Sequence, residues 1–374
     1  MQIEIAIEKL AYGGEGIGYK DGKVCFVEGA LPGEIILAEI IRDKKNYSRG
    51  RLVKIIQSSP HRIPAPCVYI DQCGGCQYQH LEYAEELRWK EIQVREYLER
   101  NLRIDPALVL PIVPSPNPYE YRTSVTLHKA GPKSGFVGRD NETVIPIDQC
   151  LLTHPGLKPA FETYLKEDSK TFRISGDGKI YSSSEETLFE MQSGIVTHSK
   201  SFFQNNLPVT RAVGETVKKW TEESEPDFFM DLYAGCGTFA LLAAEKANQI
   251  LCIEENPFSL EALQENFKKR SLKGTVLQGK VEDVFPAWVK TAAFSKAFVF
   301  LDPPRKGMPE KLCRFLSKQA SLSDLVYLSC HLGTLTRDLK LILESGKFQI
   351  REAIPFDMFP RTKHIEVLVR LQPL

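Results

Sequence analysis

The chain has 374 residues, 43% of them hydrophobic and 26% charged, and its 48 Lys plus Arg balance 48 Asp plus Glu. That length suits two or three domains, and the apolar share is ordinary for a globular protein with a sizeable core. No apolar run approaches the roughly 18–20 residues that span a bilayer, and Met1–Ile5 has no basic segment leading into an apolar one, so neither a membrane-spanning nor a secreted protein is expected, but a cytoplasmic one.

Residues 1–58 read as short strands. Ile3, Ile5 and Ile7 alternate with Glu4, Ala6 and Glu8, the period-two pattern of a half-buried strand. Gly13, Gly14, Gly16 and Gly18 supply turns, and Lys23–Val27 and Glu34–Ile41 are further strand candidates split by Leu31-Pro32-Gly33. Short strands at this density suggest a small barrel of the oligonucleotide-binding kind. Although net charge is zero, a local basic stripe can still grip phosphates. Arg42, Lys44, Lys45, Arg49, Arg51, Lys54 and Arg62 face the single acid Asp43 within that stretch.

Ser59–Pro66 is Pro-rich and reads as a linker. A charged helical segment, Leu81–Leu102, follows; residues 111–200 are strand-rich, broken by Pro and Gly, and suggest an irregular α+β domain. After about residue 200 apolar strands alternate with helices: Phe228–Tyr233 then Phe239–Ala247, Ile250–Glu254 then Ser259–Lys269, and later Ala297–Asp302 and Leu325–Cys330. This rhythm implies a mostly parallel sheet covered on both faces. Phe348–Phe356 and His364–Leu371 read as an antiparallel hairpin at one edge. The expected domains are 1–58, 59–200 and 201–374.

Five constellations can carry chemistry. Asp231-Leu-Tyr233-Ala-Gly235-Cys-Gly237 places a Gly-x-Gly turn between strand and helix, and Glu254 ends the next strand. That carboxylate can take both ribose hydroxyls of an adenosine, although the turn alone fits a nicotinamide site equally. Asp302-Pro303-Pro304-Arg305 is an acid at a strand end followed by a stiff loop. Ser329-Cys330 ends another strand with a thiol, a candidate nucleophile. Glu366 lies opposite in phase to Ile365, Val367 and Val369. Finally, of the nine cysteines, Cys67, Cys73 and Cys76 lie within ten residues around two glycines, and Cys150 is the best-placed fourth. Four thiolates suit zinc or an iron–sulfur cluster, and spacing does not choose between them. An odd count without a leader does not resemble a disulfide scaffold.

Taken in order, these motifs resemble the RNA uracil-5-methyltransferases, and most closely their iron–sulfur-containing branch acting on 23S ribosomal RNA. The resemblance runs nearly end to end: residues 1–58 are similar to the family's TRAM barrel, Cys67…Cys73-Gly-Gly-Cys76 to its cluster loop, and Ser201-Phe202-Phe203-Gln204-Asn205, Asp231–Thr238, Asp302-Pro-Pro-Arg305, Ser329-Cys330 and Asp357…Glu366 fall in its order. It implies a Rossmann-like methyltransferase domain at the C-terminus, with S-adenosylmethionine held by Gln204, Tyr233, Glu254 and Asp302. It further implies Cys330 as nucleophile, Glu366 as base, and a [4Fe–4S] cluster on Cys67, Cys73, Cys76 and Cys150. The implied partner is RNA: ribosomal first, the T-loop uridine of transfer RNA as the alternative, with no membrane and no obligate protein partner. Two positions depart from the family pattern: Ala234 stands where Cys is usual, and His331-Leu332 follow the nucleophile where Asn-Pro is usual. A nicotinamide-dependent oxidoreductase, or a non-catalytic RNA-binding protein, is the reading from another class; the first leaves Cys330, Asp302-Pro-Pro-Arg305 and the cysteine set unexplained.

Overall fold

The computed structural model describes residues 1–244 and 247–374. The N-terminal strands β1 (Gln2–Leu10), β2 (Gly16–Lys20), β3 (Lys23–Glu28), β4 (Ile35–Asp43) and β5 (Tyr47–Gln57) close into a barrel in the order β1-β2-β3-β5-β4. The period-two pattern explains the closure. Ile3, Ile5 and Ile7 turn inward onto Cys25, Val27, Ile36 and Ala38, while Glu4 and Glu8 face water. Glycine is required at position 18, where a Cβ would lie 2.3 Å from the Ala6 carbonyl oxygen. The β1–β2 turn leaves the barrel and docks elsewhere: Gln93 donates to the Ala11 carbonyl at 2.9 Å.

The basic stripe carries less free charge than its composition suggests. Arg49 pairs with Glu15, Arg51 with Glu39 and Arg62 with the buried Glu34. Among the described residues, only Arg42, Lys44, Lys45 and Lys54 of the seven lack an acidic partner. The neutralising acids sit on neighbouring strands and turns, outside the sequence window that defines the stripe.

Helix α1 (Tyr83–Leu102) follows, burying Glu86, Trp89, Lys90, Gln93, Val94 and Leu98. The central region holds a five-stranded antiparallel sheet of β6 (Ser124–Ala130), β7 (Lys133–Val137), β8 (Val144–Pro146), β9 (Ser169–Ile174) and β10 (Ile180–Ser182), ordered β10-β9-β6-β7-β8, with the one-turn helix α2 (Lys158–Phe161) against it. A hairpin, β11 (Leu188–Glu190) and β12 (Val196–His198), packs instead with the C-terminal part; Phe189, Met191 and Ile195 join that core.

The C-terminal part alternates as expected: α3 (Leu207–Ser224), β13 (Phe228–Leu232), α4 (Thr238–Ala243), β14 (Gln249–Glu254), α5 (Pro257–Lys269), β15 (Thr275–Gln278), α6 (Val281–Val289), β16 (Ala297–Leu301), α7 (Glu310–Leu316), β17 (Leu322–Ser329), α8 (Leu332–Leu343), β18 (Phe348–Phe356) and β19 (Glu366–Pro373). The helical reading that runs on to Ala247 includes residues 245–246, which lie outside the described residues. The sheet order is β15-β14-β13-β16-β17-β19-β18; the first five strands are parallel and the last two antiparallel. Strands β13 and β16 are buried throughout, because helices cover both faces and leave no water-facing side. Among the described residues no helix is long and apolar enough to cross a membrane.

Candidate active site

Parallel strands β13, β14, β16 and β17 deliver their last residues to one edge of the sheet, and so gather Asp231, Glu254, Asp302 and Cys330 there. Strand order reverses between β13 and β16, which pair in register Leu232↔Leu301. Open α/β sheets bind ligands at such a reversal, outside the carboxyl ends of the strands.

The loop after β13 is shaped for close approach. Gly235 and Gly237 have φ of 56° and 84°, and Tyr233, a non-glycine residue, has φ of 78°. The Glu254 carboxylate ties this loop down, accepting from the Gly235 amide at 2.8 Å and the Asn256 amide at 2.7 Å. Asp231 accepts from the Ala240 amide at 3.1 Å through one oxygen; its other oxygen and the Tyr233 hydroxyl are buried without a partner among the described residues. Gln204 donates to Asp302 at 3.0 Å. Of the four residues that the resemblance implies for the cofactor, Tyr233, Glu254 and Asp302 thus lie at neighbouring strand ends, and Gln204 is in direct contact with Asp302.

Burial also shifts the carboxyls at this sheet edge. Burial pushes Asp302 up to about 7, and burial with the nearby Asp302 and Glu254 carboxylates pushes Asp231 up to about 8. Several buried carboxyls with few cations among them favour a positively charged ligand, and the sulfonium of S-adenosylmethionine is one. Two consequences follow from the sign of these shifts. The unliganded chain loses stability as pH rises through about 7 to 8, because the folded state holds protons that the unfolded chain has released; that contribution is fully present only below the ordinary carboxylate range. Conversely, affinity for S-adenosylmethionine rises between pH 6 and 8 with proton release, and affinity for the uncharged thioether S-adenosylhomocysteine rises less. Calorimetric titration in two buffers of different ionisation enthalpy checks this; identical pH dependence for the two ligands contradicts it.

Sheet pairing brings Cys330 and Glu366 to the same end of the sheet. Strands β17 and β19 are antiparallel with Ser329 opposite Val367, so Cys330, just past the end of β17, lies near Glu366, the first residue of β19. The Glu366 carboxylate is close enough to act on the thiol through its charge. Burial and the Glu366 carboxylate raise the Cys330 thiol to about 11, while the charge of Arg305 opposes the shift. Glu366 is itself buried and held well above the usual carboxylate range, by burial first and then by Asp302. Both groups are thus pushed towards their protonated forms, and Arg305 is the cation whose charge opposes that on each of them. Sequence reasoning quoted Arg305 within its motif and gave it no role; its position one residue after two prolines, in a loop aimed by their fixed backbone, was the available signal.

The loop leading to Glu366 is braced by buried charges. Lys90 on α1 bonds Glu86 at 2.8 Å, Asp357 at 2.7 Å and the Phe359 carbonyl at 3.2 Å. Tyr83 donates to the second Asp357 oxygen at 2.7 Å. Arg361, at φ 66°, donates its amide to Glu86 at 2.7 Å and its guanidinium to the Leu81 carbonyl at 2.8 Å. Burial alone would lower Lys90, yet the Glu86 and Asp357 carboxylates hold it above its ordinary value.

The cysteine set is gathered but does not form a ligand shell. Burial raises Cys73, Cys76 and Cys150, and each is raised further by its fellow thiols: Cys73 by Cys67, Cys76 by Cys150 and Cys73, and Cys150 by Cys73 and Cys67. Cys73 accepts from the Gly75 amide at 3.4 Å and Cys76 from Gln79 at 3.1 Å. Arg122 faces the set and has no carboxylate partner among the described residues; its charge lowers Cys73, Cys76 and Cys150. This donor set, with a facing cation, fits a centre held by thiolates. Among the described residues, however, no three His, Cys, Asp or Glu side chains come close enough together to hold a metal ion.

Comparison with known proteins gives the family. The model for tRNA (uracil-5-)-methyltransferases matches residues 192–373, and that for the TRAM domain matches residues 2–53. An uncharacterized RNA methyltransferase of Bdellovibrio bacteriovorus is 31% identical over 383 residues, covering 99% of this chain and 95% of that protein. The chain belongs to the TRAM-containing RNA uracil-5-methyltransferase family. As a member it is an S-adenosylmethionine-dependent enzyme acting on uracil C5 in RNA. An uncharacterized RNA methyltransferase of Thermotoga maritima is 28% identical over 441 residues, with 98% of both chains covered. A solved structure, the Pyrococcus abyssi tRNA (uracil-54, C5)-methyltransferase in complex with S-adenosyl-L-homocysteine, has the same fold: TM-score 0.75, 22% identity, covering 99% of this chain and 100% of that one.

Proposed function

We propose that this methyltransferase forms 5-methyluridine in transfer RNA, with Cys330 as nucleophile and Glu366 as base. Uracil C5 is a weak nucleophile. Addition of the Cys330 sulfur to C6, the thiol proton passing to solvent and Glu366 remaining an ionised carboxylate, makes the ring an enolate whose electron density reaches C5. C5 then takes the methyl group from the sulfonium, Glu366 removes the C5 proton, and the C6–S bond breaks to return the thiolate. The single observation carrying this reading is the pairing of β17 with β19, Ser329 opposite Val367, which brings the neighbouring Cys330 and Glu366 to the same sheet end. Arg305 stabilises the thiolate, and both Arg305 and the sulfonium favour the ionised form of Glu366.

Gln204, Tyr233, Glu254 and Asp302 would hold S-adenosylmethionine. Phe202, 66% exposed between buried Ser201 and Phe203 and two residues from Gln204, offers a face on which an extruded base can stack. Transfer RNA is preferred over ribosomal RNA because the matching family model is described by a tRNA activity and the full-length structural neighbour is a tRNA enzyme; the ribosomal expectation rested on the barrel and the cysteine set. Mapping 5-methyluridine in both RNAs from cells lacking the gene decides. Loss from transfer RNA alone is the expected result, and loss from 23S RNA alone restores the ribosomal reading. Cys67, Cys73, Cys76 and Cys150 are proposed to hold a [4Fe–4S] cluster, supported by the mutual influence of these thiols and by Arg122 acting on Cys73, Cys76 and Cys150; anaerobically purified protein then contains iron and acid-labile sulfide, and zinc without iron contradicts it.

A further inference from the structure

The loop that enters Glu366 is held from two sides. Helix α1 takes Asp357 and Arg361 on one of them. The cysteine loop takes the other. The Gln77 and Tyr78 amides both donate to the Arg361 carbonyl, at 3.0 and 3.1 Å, and the Tyr121 hydroxyl donates to the Pro360 carbonyl at 3.1 Å. Phe359 packs in one apolar cluster with Cys76, Cys150 and Tyr121, and its ring meets that of His364 edge-on with centroids 6.0 Å apart. One side chain bridges the two loops. Gln77 donates from Nε2 to the Gly74 carbonyl at 3.0 Å and accepts at Oε1 from the Lys363 amide at 2.9 Å.

This bridge runs from a fixed point to a weakly held one. Gly74 is fixed: its amide donates to the Val137 carbonyl at 3.2 Å, and a Cβ there would lie 2.9 Å from the Gly138 carbonyl oxygen. The cysteine loop therefore sits directly on the backbone at the end of β7. Glu366 is held on one side, where it pairs with Phe356 of β18; pairing with β17 begins only at Val367. A strand end supported on one side depends on the chain that enters it, whose backbone groups must find partners outside the sheet ladder. The Lys363 amide, three residues before Glu366, finds its partner in Gln77.

We propose that Gln77 is a positioning residue for the base: its side-chain amide ties the cysteine loop to the backbone of Lys363 and so fixes the entry of the strand that presents Glu366. This rests on the reading of Glu366 as the base. The step that Gln77 serves is elimination, in which Glu366 takes the C5 proton and the C6–S bond breaks to return the thiolate. Addition and methyl transfer precede that step and draw on Cys330 and the cofactor. Gln77→Met keeps the length of the side chain and loses both bonds. Gln77→Glu keeps an acceptor for the Lys363 amide and gives up only the donor to Gly74.

The test makes two measurements on each variant with S-adenosylmethionine present. One is the share of enzyme held as methylated covalent adduct during turnover on an RNA stem-loop with uridine at the target position. The other is the rate of covalent capture by the same stem-loop carrying 5-fluorouridine. Fluorine at C5 cannot be removed as a proton, so capture reports addition and methyl transfer without elimination. Gln77→Met is expected to raise the adduct share about fivefold, the effect of one lost hydrogen bond on the elimination step, with capture within about twofold of wild type. Gln77→Glu is expected to hold adduct within about twofold of wild type. A wild-type adduct share in Gln77→Met overturns the proposal. So does capture slowed fivefold in that variant, the mark of a general structural loss, or a Gln77→Glu variant that behaves as Gln77→Met does. Glu366→Gln in the same assay keeps the two readings apart: product released at the wild-type rate, with no adduct, removes the base assignment itself and the proposal with it.

Discussion

Cys330→Ala is expected to lower 5-methyluridine formation by on the order of 10⁴-fold or more, the scale on which removal of a covalent nucleophile acts. Affinity for S-adenosylmethionine and RNA should change little, because the residues proposed to hold the cofactor, Gln204, Tyr233, Glu254 and Asp302, and the barrel strands of residues 2–57 are other parts of the chain. Cys330→Ser tests the same point through chemistry: its hydroxyl keeps the size and hydrogen-bonding of the thiol but is a far weaker nucleophile, so it should be nearly as inactive. The measurement is single-turnover methyl transfer beside equilibrium binding. Measurable turnover in the alanine variant within a hundredfold of wild type contradicts the assignment. Loss of binding together with activity would point to a structural role for this residue.

Lys90→Met is expected to cost about 3–5 kcal/mol of folding stability, because it leaves Glu86 and Asp357 buried without their shared cation. Activity should fall as well, since the loop that this network pins runs directly into Glu366. A double variant, Lys90→Met/Asp357→Asn, removes a charge of each sign. It should therefore lose less than the sum of the two single changes, the signature of contacting residues. Urea unfolding of the three variants checks this, and additive losses would show that the pairs act independently.

Much of this architecture is legible in the residues. The alternation of Ile3, Ile5 and Ile7 places them in the barrel core, and the strand–helix rhythm after residue 200 becomes the parallel sheet. Motif order brings Asp231, Glu254, Asp302 and Cys330 to one edge, because parallel strands joined by right-handed crossovers all end on the same side. Other features depend on partners distant in the chain. Alternation suggests two faces for His364–Leu371, one apolar and one bearing Glu366, yet residues 365–371 are all buried, since β19 lies between β17 and β18 with both faces covered. The sequence marks Leu81–Leu102 only as a charged helical segment, and nothing local shows that Glu86 and Lys90 are fully buried; their reason is Asp357 and Arg361, more than two hundred and fifty residues on. Arg49, Arg51 and Arg62 likewise reveal their neutralising acids only once strands are paired.

The meeting of thiol and carboxyl across one uracil is tested most directly by intact mass spectrometry of Glu366→Gln incubated with substrate RNA and S-adenosylmethionine under denaturing work-up. Glutamine keeps the shape of the side chain but cannot take the C5 proton, so methyl transfer proceeds and elimination stalls. The account predicts a species with the mass of protein plus methylated RNA, absent from the Cys330→Ala/Glu366→Gln variant. Free, fully methylated product released by Glu366→Gln at the wild-type rate, with no adduct, would contradict it.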